Sequence, residues 1–76
     1  MPAKSPTPQR AFGEVVRAER KRQGLTQEEL AHRSGISAVF VSDIERGVEN
    51  VTIATIAKLS KGLRTKVGEL LFKAGV

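Results

Sequence analysis

Leu25 to Gly47, LTQEELAHRSGISAVFVSDIERG, is the stretch that most limits what this chain can become. It predicts two short helices joined by a tight glycine turn. Thr26 is a good N-cap, and Glu29 three residues on completes a capping box in which each residue satisfies a backbone amide at the helix start. Leu30 and Ala31 give that helix an inward face. Gly35 ends it, because glycine enters the left-handed conformation of a C-terminal cap without steric cost. Ile36, apolar within the turn itself, predicts a turn wedged into a core. Ser37 caps the second helix and Gly47 ends it.

Paired helices of this shape lay the second member in the major groove of DNA. The 3.6-residue period sorts that second helix, Ser37 to Arg46, into two faces. Val41 and Ile44 fall on one side, flanked by Ser37 and Glu45. Val39, Ser42, Asp43 and Arg46 fall on the other, with Ala38 beside Ser42 and Phe40 at the boundary. The outward face is small and mixed, without long acidic side chains, which suits close approach to a base-pair edge. The same spacing also fits a solvated helix of any small bundle.

Before this unit, all three prolines of the chain lie in its first eight residues, Pro2, Pro6 and Pro8. Residues 1–8 are expected to be a flexible arm and residues 9–76 the folded domain. The arm reads as an inert tail or as a DNA-tracking arm using Lys4 and Arg10. A first helix follows from about Pro8 to Arg22, with Phe12, Val15 and Val16 inward and Gly24 at its end. Gly13 inside it lowers helix propensity. Five of the 13 basic residues, Arg10, Arg17, Arg20, Lys21 and Arg22, lie on this helix. Such a run is a solvated face or a source of contacts to a phosphate backbone.

After Gly47, Thr52 caps a fourth helix to about Lys61, with Ile53, Ile56, Leu59 and then Leu63 expected to face the core. Thr65 to Lys73 reads as a fifth helix with Val67, Leu70 and Leu71 inward, capped by Thr65 or Lys66 and weakened by Gly68. Thr65, Glu69, Phe72 and Val76 fall on a different face of it. Phe72 is then a second core contact or, with Val76, part of a dimer interface. Two recognition helices about 34 Å apart would read a palindrome, whereas one copy reads only a few base pairs. No strand pattern occurs, so the expected fold class is all-α.

The length of 76 residues leaves room for one small domain, and the absence of cysteine removes disulfides and thiolate metal sites. A net charge of +5 points to an acidic partner, nucleic acid ahead of an anionic membrane. No apolar run approaches a membrane span or a signal-peptide core, so a soluble cytoplasmic protein is expected. His32, Ser34, Ser37, Ser42 and Asp43 contain the letters of a hydrolytic triad, yet a chain this small cannot enclose a water-excluded pocket around them. One histidine is too few for a metal site. The expectation is no enzyme, no cofactor, no metal and no small-molecule ligand.

The segments GLTQEELAHRSGIS, VSDIERG and TIATIAKLSKGL ahead of GELL resemble the helix-turn-helix family of lambda-type repressors and Cro, including XRE-like bacterial regulators. The resemblance runs from about Phe12 to Leu71. Among short members the chain looks most like the controller proteins of restriction–modification systems, while short antitoxins and phage repressors share the pattern. The resemblance implies a compact five-helix DNA-binding domain acting as a homodimer on double-stranded DNA. It implies a structural salt bridge between Arg20 and Glu45, and phosphate contacts from Gln27 at the first turn of the second helix. Thr26, Ser37, Arg46, Asn50 and Thr52 are further phosphate candidates.

The candidate base-reading residues are Ala38, Val39, Ser42, Asp43 and Arg46. Better-known members often carry Gln, Asn or Arg where this chain has Ala38 and Val39, which can touch a thymine methyl group but cannot hydrogen-bond a base. Arg46 can read a guanine or hold a phosphate. Asp43 is repelled by phosphate, accepts from a cytosine amine, or pairs with a nearby arginine. With so few bidentate readers, DNA shape and bending are expected to carry an unusual share of discrimination. The competing expectation is an antitoxin or protein-interaction module using the same bundle to bind a protein.

Overall fold

Four of the five helices begin at a hydroxyl side chain that receives a backbone amide, which is why the chain bends where it does. The computed structural model describes residues 7–75. Its elements are α1 (Pro8–Arg22), α2 (Gln27–Ser34), α3 (Ala38–Glu45), α4 (Ile53–Leu63) and α5 (Val67–Ala74). Thr7, Thr26, Ser37 and Thr52 are the caps, accepting from Arg10, Glu29, Phe40 and Thr55 at 3.0–3.1 Å. The capping box at Thr26 is complete, with Glu29 Oε1 accepting the Thr26 N–H at 2.8 Å. Between α2 and α3, Gly35 takes the left-handed conformation at φ 71° that the tight turn requires.

The five-helix, all-α expectation holds, and no strand occurs among the described residues. Helix α1 begins at Pro8 as expected, where a missing N–H costs nothing, and Thr7, within the expected arm, is its cap. Lys4 and the rest of the arm lie outside the described residues. Lys66 takes the N-cap position of α5 without a side-chain bond, and α4 runs two residues beyond the expected Lys61.

Phe12 and Val16 of α1, Leu30 and Ala31 of α2, Val41 and Ile44 of α3, Ile56, Leu59 and Leu63 of α4, and Leu70 of α5 form one core. Burying each larger side chain contributes roughly 1.5–3 kcal/mol, enough for a small chain without covalent staples. Ile36 packs against this core from the turn, as do Val67 and Leu71. Ile53 does not: it is 81% exposed. It opens α4 and lies about 120° around the helix from Leu59, so the stripe that faces the core begins only at Ile56.

The helices pack α1 on α3 and α5, and α2 on α3 and α4. Gly13 sets the first of these contacts. A Cβ there would stand 2.9 Å from the Glu45 carbonyl oxygen and closer still to that of Ile44. Gly62 does the same for α4, whose backbone lies against the buried Ser34 side chain. Both glycines weaken their own helix and are kept where a neighbouring helix packs directly on bare backbone, against carbonyls at Gly13 and against side chains at Gly62.

Candidate nucleic-acid interface

With Val41 and Ile44 fully inside, the opposite face of α3 is turned outward. Val39 is 72% exposed, and the Arg46 guanidinium at the end of the helix is exposed as well. Ser42 and Asp43 are half-buried on the same face. Ala38 is half-buried and packs against the core, so it presents less surface outward than Val39. Of the three readings open for Asp43, the structure contains the ion pair: Arg46 Nη2 donates to Asp43 Oδ1 at 2.6 Å. The two groups are three residues apart on one helix, which brings them within reach of each other.

Arg20 and Glu45 form the expected bridge between α1 and α3. Arg20 Nε donates to Glu45 Oε2 at 2.7 Å and Nη2 to Oε1 at 3.0 Å, a bidentate pair almost free of water. A third arginine donor, Nη1, reaches the Leu25 carbonyl at 2.8 Å, just before α2. The hydrogen bonds it donates to Glu45 raise the Arg20 guanidinium above its ordinary pKa despite its burial. Gln27 Nε2 also donates to Glu45 Oε1, at 3.1 Å. One carboxylate therefore ties α1, the start of α2 and the end of α3 together, and fixes the angle at which α3 stands out.

The phosphate candidates surround this ridge without forming one cluster. Thr26, Ser37 and Thr52 are exposed and spend their hydroxyl oxygens as caps. What they offer outward is helix N-terminal backbone, whose partial positive charge favours anions. Gln27 is half-buried with its amide held by Glu45. Asn50 is exposed in the loop after α3, and its Oδ1 accepts from Gln9 Nε2, so α1 braces that loop.

Phe72 is 82% exposed and so is not a second core contact; Val76 lies outside the described residues. The sequence reading missed a second buried carboxylate. Glu19 accepts from Arg22 Nη2 at 2.8 Å and from Lys73 Nζ at 3.0 Å, joining α1 to α5. Arg22 three residues on was a visible signal; Lys73, 54 residues away, was not. His32 is exposed, and among the described residues no group of three or more His, Cys, Asp or Glu side chains is placed to hold a metal. None of the described helices is long and apolar enough to cross a membrane.

Residues 16–70 match the family model described as helix-turn-helix. The chain is 40% identical over 65 residues to the control protein C.SmaI of Serratia marcescens, covering 86% of this chain and 77% of that one. It is 44% identical over 66 residues to the HTH-type transcriptional repressor RghR of Bacillus subtilis, but spans only 49% of that longer protein. Among solved structures it is similar to the restriction-modification controller protein C.AhdI of Aeromonas hydrophila, with a TM-score of 0.78 and 39% identity over 80% of this chain and 92% of that one. With most of the chain inside the matched region and the same helices in the same order, it belongs to the XRE-type helix-turn-helix family of DNA-binding transcriptional regulators.

Proposed function

We propose that this regulator binds a palindromic operator as a homodimer, with α3 of each copy in the major groove. The observation that carries the reading is the two-sidedness of α3: its inner face is sealed by the core and by the Glu45 bridge, while Val39, Ser42, Asp43 and Arg46 remain outside. In this reading Val39 and Ala38 meet thymine methyl groups, Ser42 bonds a base edge, and Asp43 with Arg46 addresses a C·G pair or the adjacent backbone. The capped starts of α2, α3 and α4, with Gln27 and Asn50, meet phosphates. Phe72, with Val76 beyond it, forms the two-fold contact. The likeness to C.AhdI, a restriction-modification controller protein, favours control of restriction–modification genes as the biological role.

Selection of bound duplexes from a random pool tests this directly. An inverted repeat with half-sites centred about one DNA turn apart is expected. Enrichment of no such repeat would overturn the operator reading and favour a protein-interaction module. On the selected site, Val39→Ala removes two methyl groups from the groove and should lower the preference for thymine at one position a few-fold. An unchanged preference there removes methyl reading by Val39.

A further inference from the structure

Arg10, Glu14 and Arg17 take no part in the interface described above, yet they line one cleft together with Glu45 and Arg46. The cleft, about 300 Å³, opens between the first half of α1 and the C-terminal end of α3. Backbone contacts set its walls. Gly13 lies against the last carbonyls of α3, and Gly47 lies so near Arg10 that a Cβ would stand 2.6 Å from the Arg10 Cα. Two such approaches at one junction leave α1 and α3 no room to slide, so the cleft is a fixed feature of the fold.

Its charge is lopsided. Glu45 is already committed to Arg20 and Gln27, which leaves three guanidinium groups facing Glu14. Arg10 and Arg17 are exposed, and neither forms an ion pair among the described residues. Among the described residues Arg46 is held by Asp43 alone, in a pair whose arginine faces water. Exposed pairs of this kind are weak, so exchanging Asp43 for another anion costs little.

We infer that this cleft seats one phosphate of the DNA backbone, gripped by Arg10 and Arg17, with Arg46 leaving Asp43 to join them. The inference rests on the proposed DNA reading and adds Arg10 and Arg17 to its residues. The C-terminal end of α3 carries partial negative charge, which disfavours an anion, so the seat depends on side-chain cations. Guanidinium forks match phosphate oxygens two at a time. Asp43 then has a role in the free protein: it keeps Arg46 parked beside the cleft until a phosphate replaces its carboxylate.

The test measures binding of the full chain to two labelled duplexes, the selected operator and a scrambled one, from about 50 to 200 mM salt. The double variant Arg10→Gln/Arg17→Gln, which removes the grip on one phosphate in each copy of the dimer, should weaken both duplexes by the same factor and reduce the log–log salt slope by up to about 1.8. The deficit against wild type should then shrink by up to about 12-fold across that salt range. Glu14→Gln should tighten both duplexes. Lys61→Gln, an exposed cation on α4 outside the cleft, should leave the slope unchanged. The altered side chains are exposed, so melting curves should match wild type. If wild type binds steeply with salt while the double variant Arg10→Gln/Arg17→Gln keeps its slope, the cleft is not a phosphate seat. If wild type shows no salt-dependent binding, the DNA reading itself falls.

Discussion

Glu19 keeps its charge with little water around it because cations from two helices reach it: Arg22 of its own α1 and Lys73 of α5. Their hydrogen bonds, Arg22 first, outweigh burial and hold the carboxyl at about 2, below its ordinary 4.5. A carboxyl lowered by folding stabilises the fold above its unfolded pKa and loses that contribution as pH falls toward the folded value. The gap sets a ceiling of roughly 3 kcal/mol, and water around the exposed cation heads lowers it to about 1–2 kcal/mol. Glu19→Gln should therefore cost about that much at neutral pH. Its urea unfolding curves should converge on wild type as pH falls from 4.5 to about 2. A constant offset between the two proteins across that window would show that the Glu19 charge is not what is lost. Glu45 was legible in the sequence through the family pattern that pairs it with Arg20. Glu19 was not, because its second partner is brought in only by the docking of α5. Asp43 lay between: the sequence allowed three partners, and i, i+3 geometry on α3 picked Arg46.

At the scale of helices, caps were the readable part and crossings were not. Thr26, Ser37, Thr52 and Gly35 act through neighbours within a few residues, so their roles follow from spacing alone. Gly13 and Gly68 look alike in sequence, each a glycine within a helix. In an open helix Gly→Ala gains up to about 1 kcal/mol. Gly68 has open space where a Cβ would go, so Gly68→Ala should be neutral or stabilising by up to that amount. Gly13→Ala would push a methyl into the backbone carbonyls of Ile44 and Glu45, which cannot swing away as a side chain can. Overpacking of this kind costs about 1–3 kcal/mol, so the sign reverses and the melting temperature should fall by roughly 4–8 °C per kcal/mol. Gly13→Ala as stable as wild type would mean that α1 and α3 are not in backbone contact. Ile53 was misread for the related reason that periodicity gives a helix face but not where along the helix its neighbour begins.

Two copies of a +5 chain repel each other, and both are drawn to the same polyanion, so salt should act on the whole molecule in opposite senses. Raising it screens the repulsion between proposed partners and favours the dimer, while it weakens DNA binding through counterion release. Phe72 separates the two effects. It is 82% exposed, so replacing it should leave the monomer fold intact, yet an aromatic of this size can bury 150–250 Å² in an interface, roughly a quarter of what one partner contributes. Phe72→Ser should shift the chain toward monomer in sedimentation equilibrium. Its affinity for a duplex carrying a single half-site should equal wild type, because α3 and the Glu45 bridge are untouched. Affinity for the full inverted repeat should drop by about 10²–10⁴, the advantage that linking two readers confers. Equal loss on half-site and full site would place Phe72 in the DNA surface instead, and an unchanged dimer would move the two-fold contact off α5 altogether.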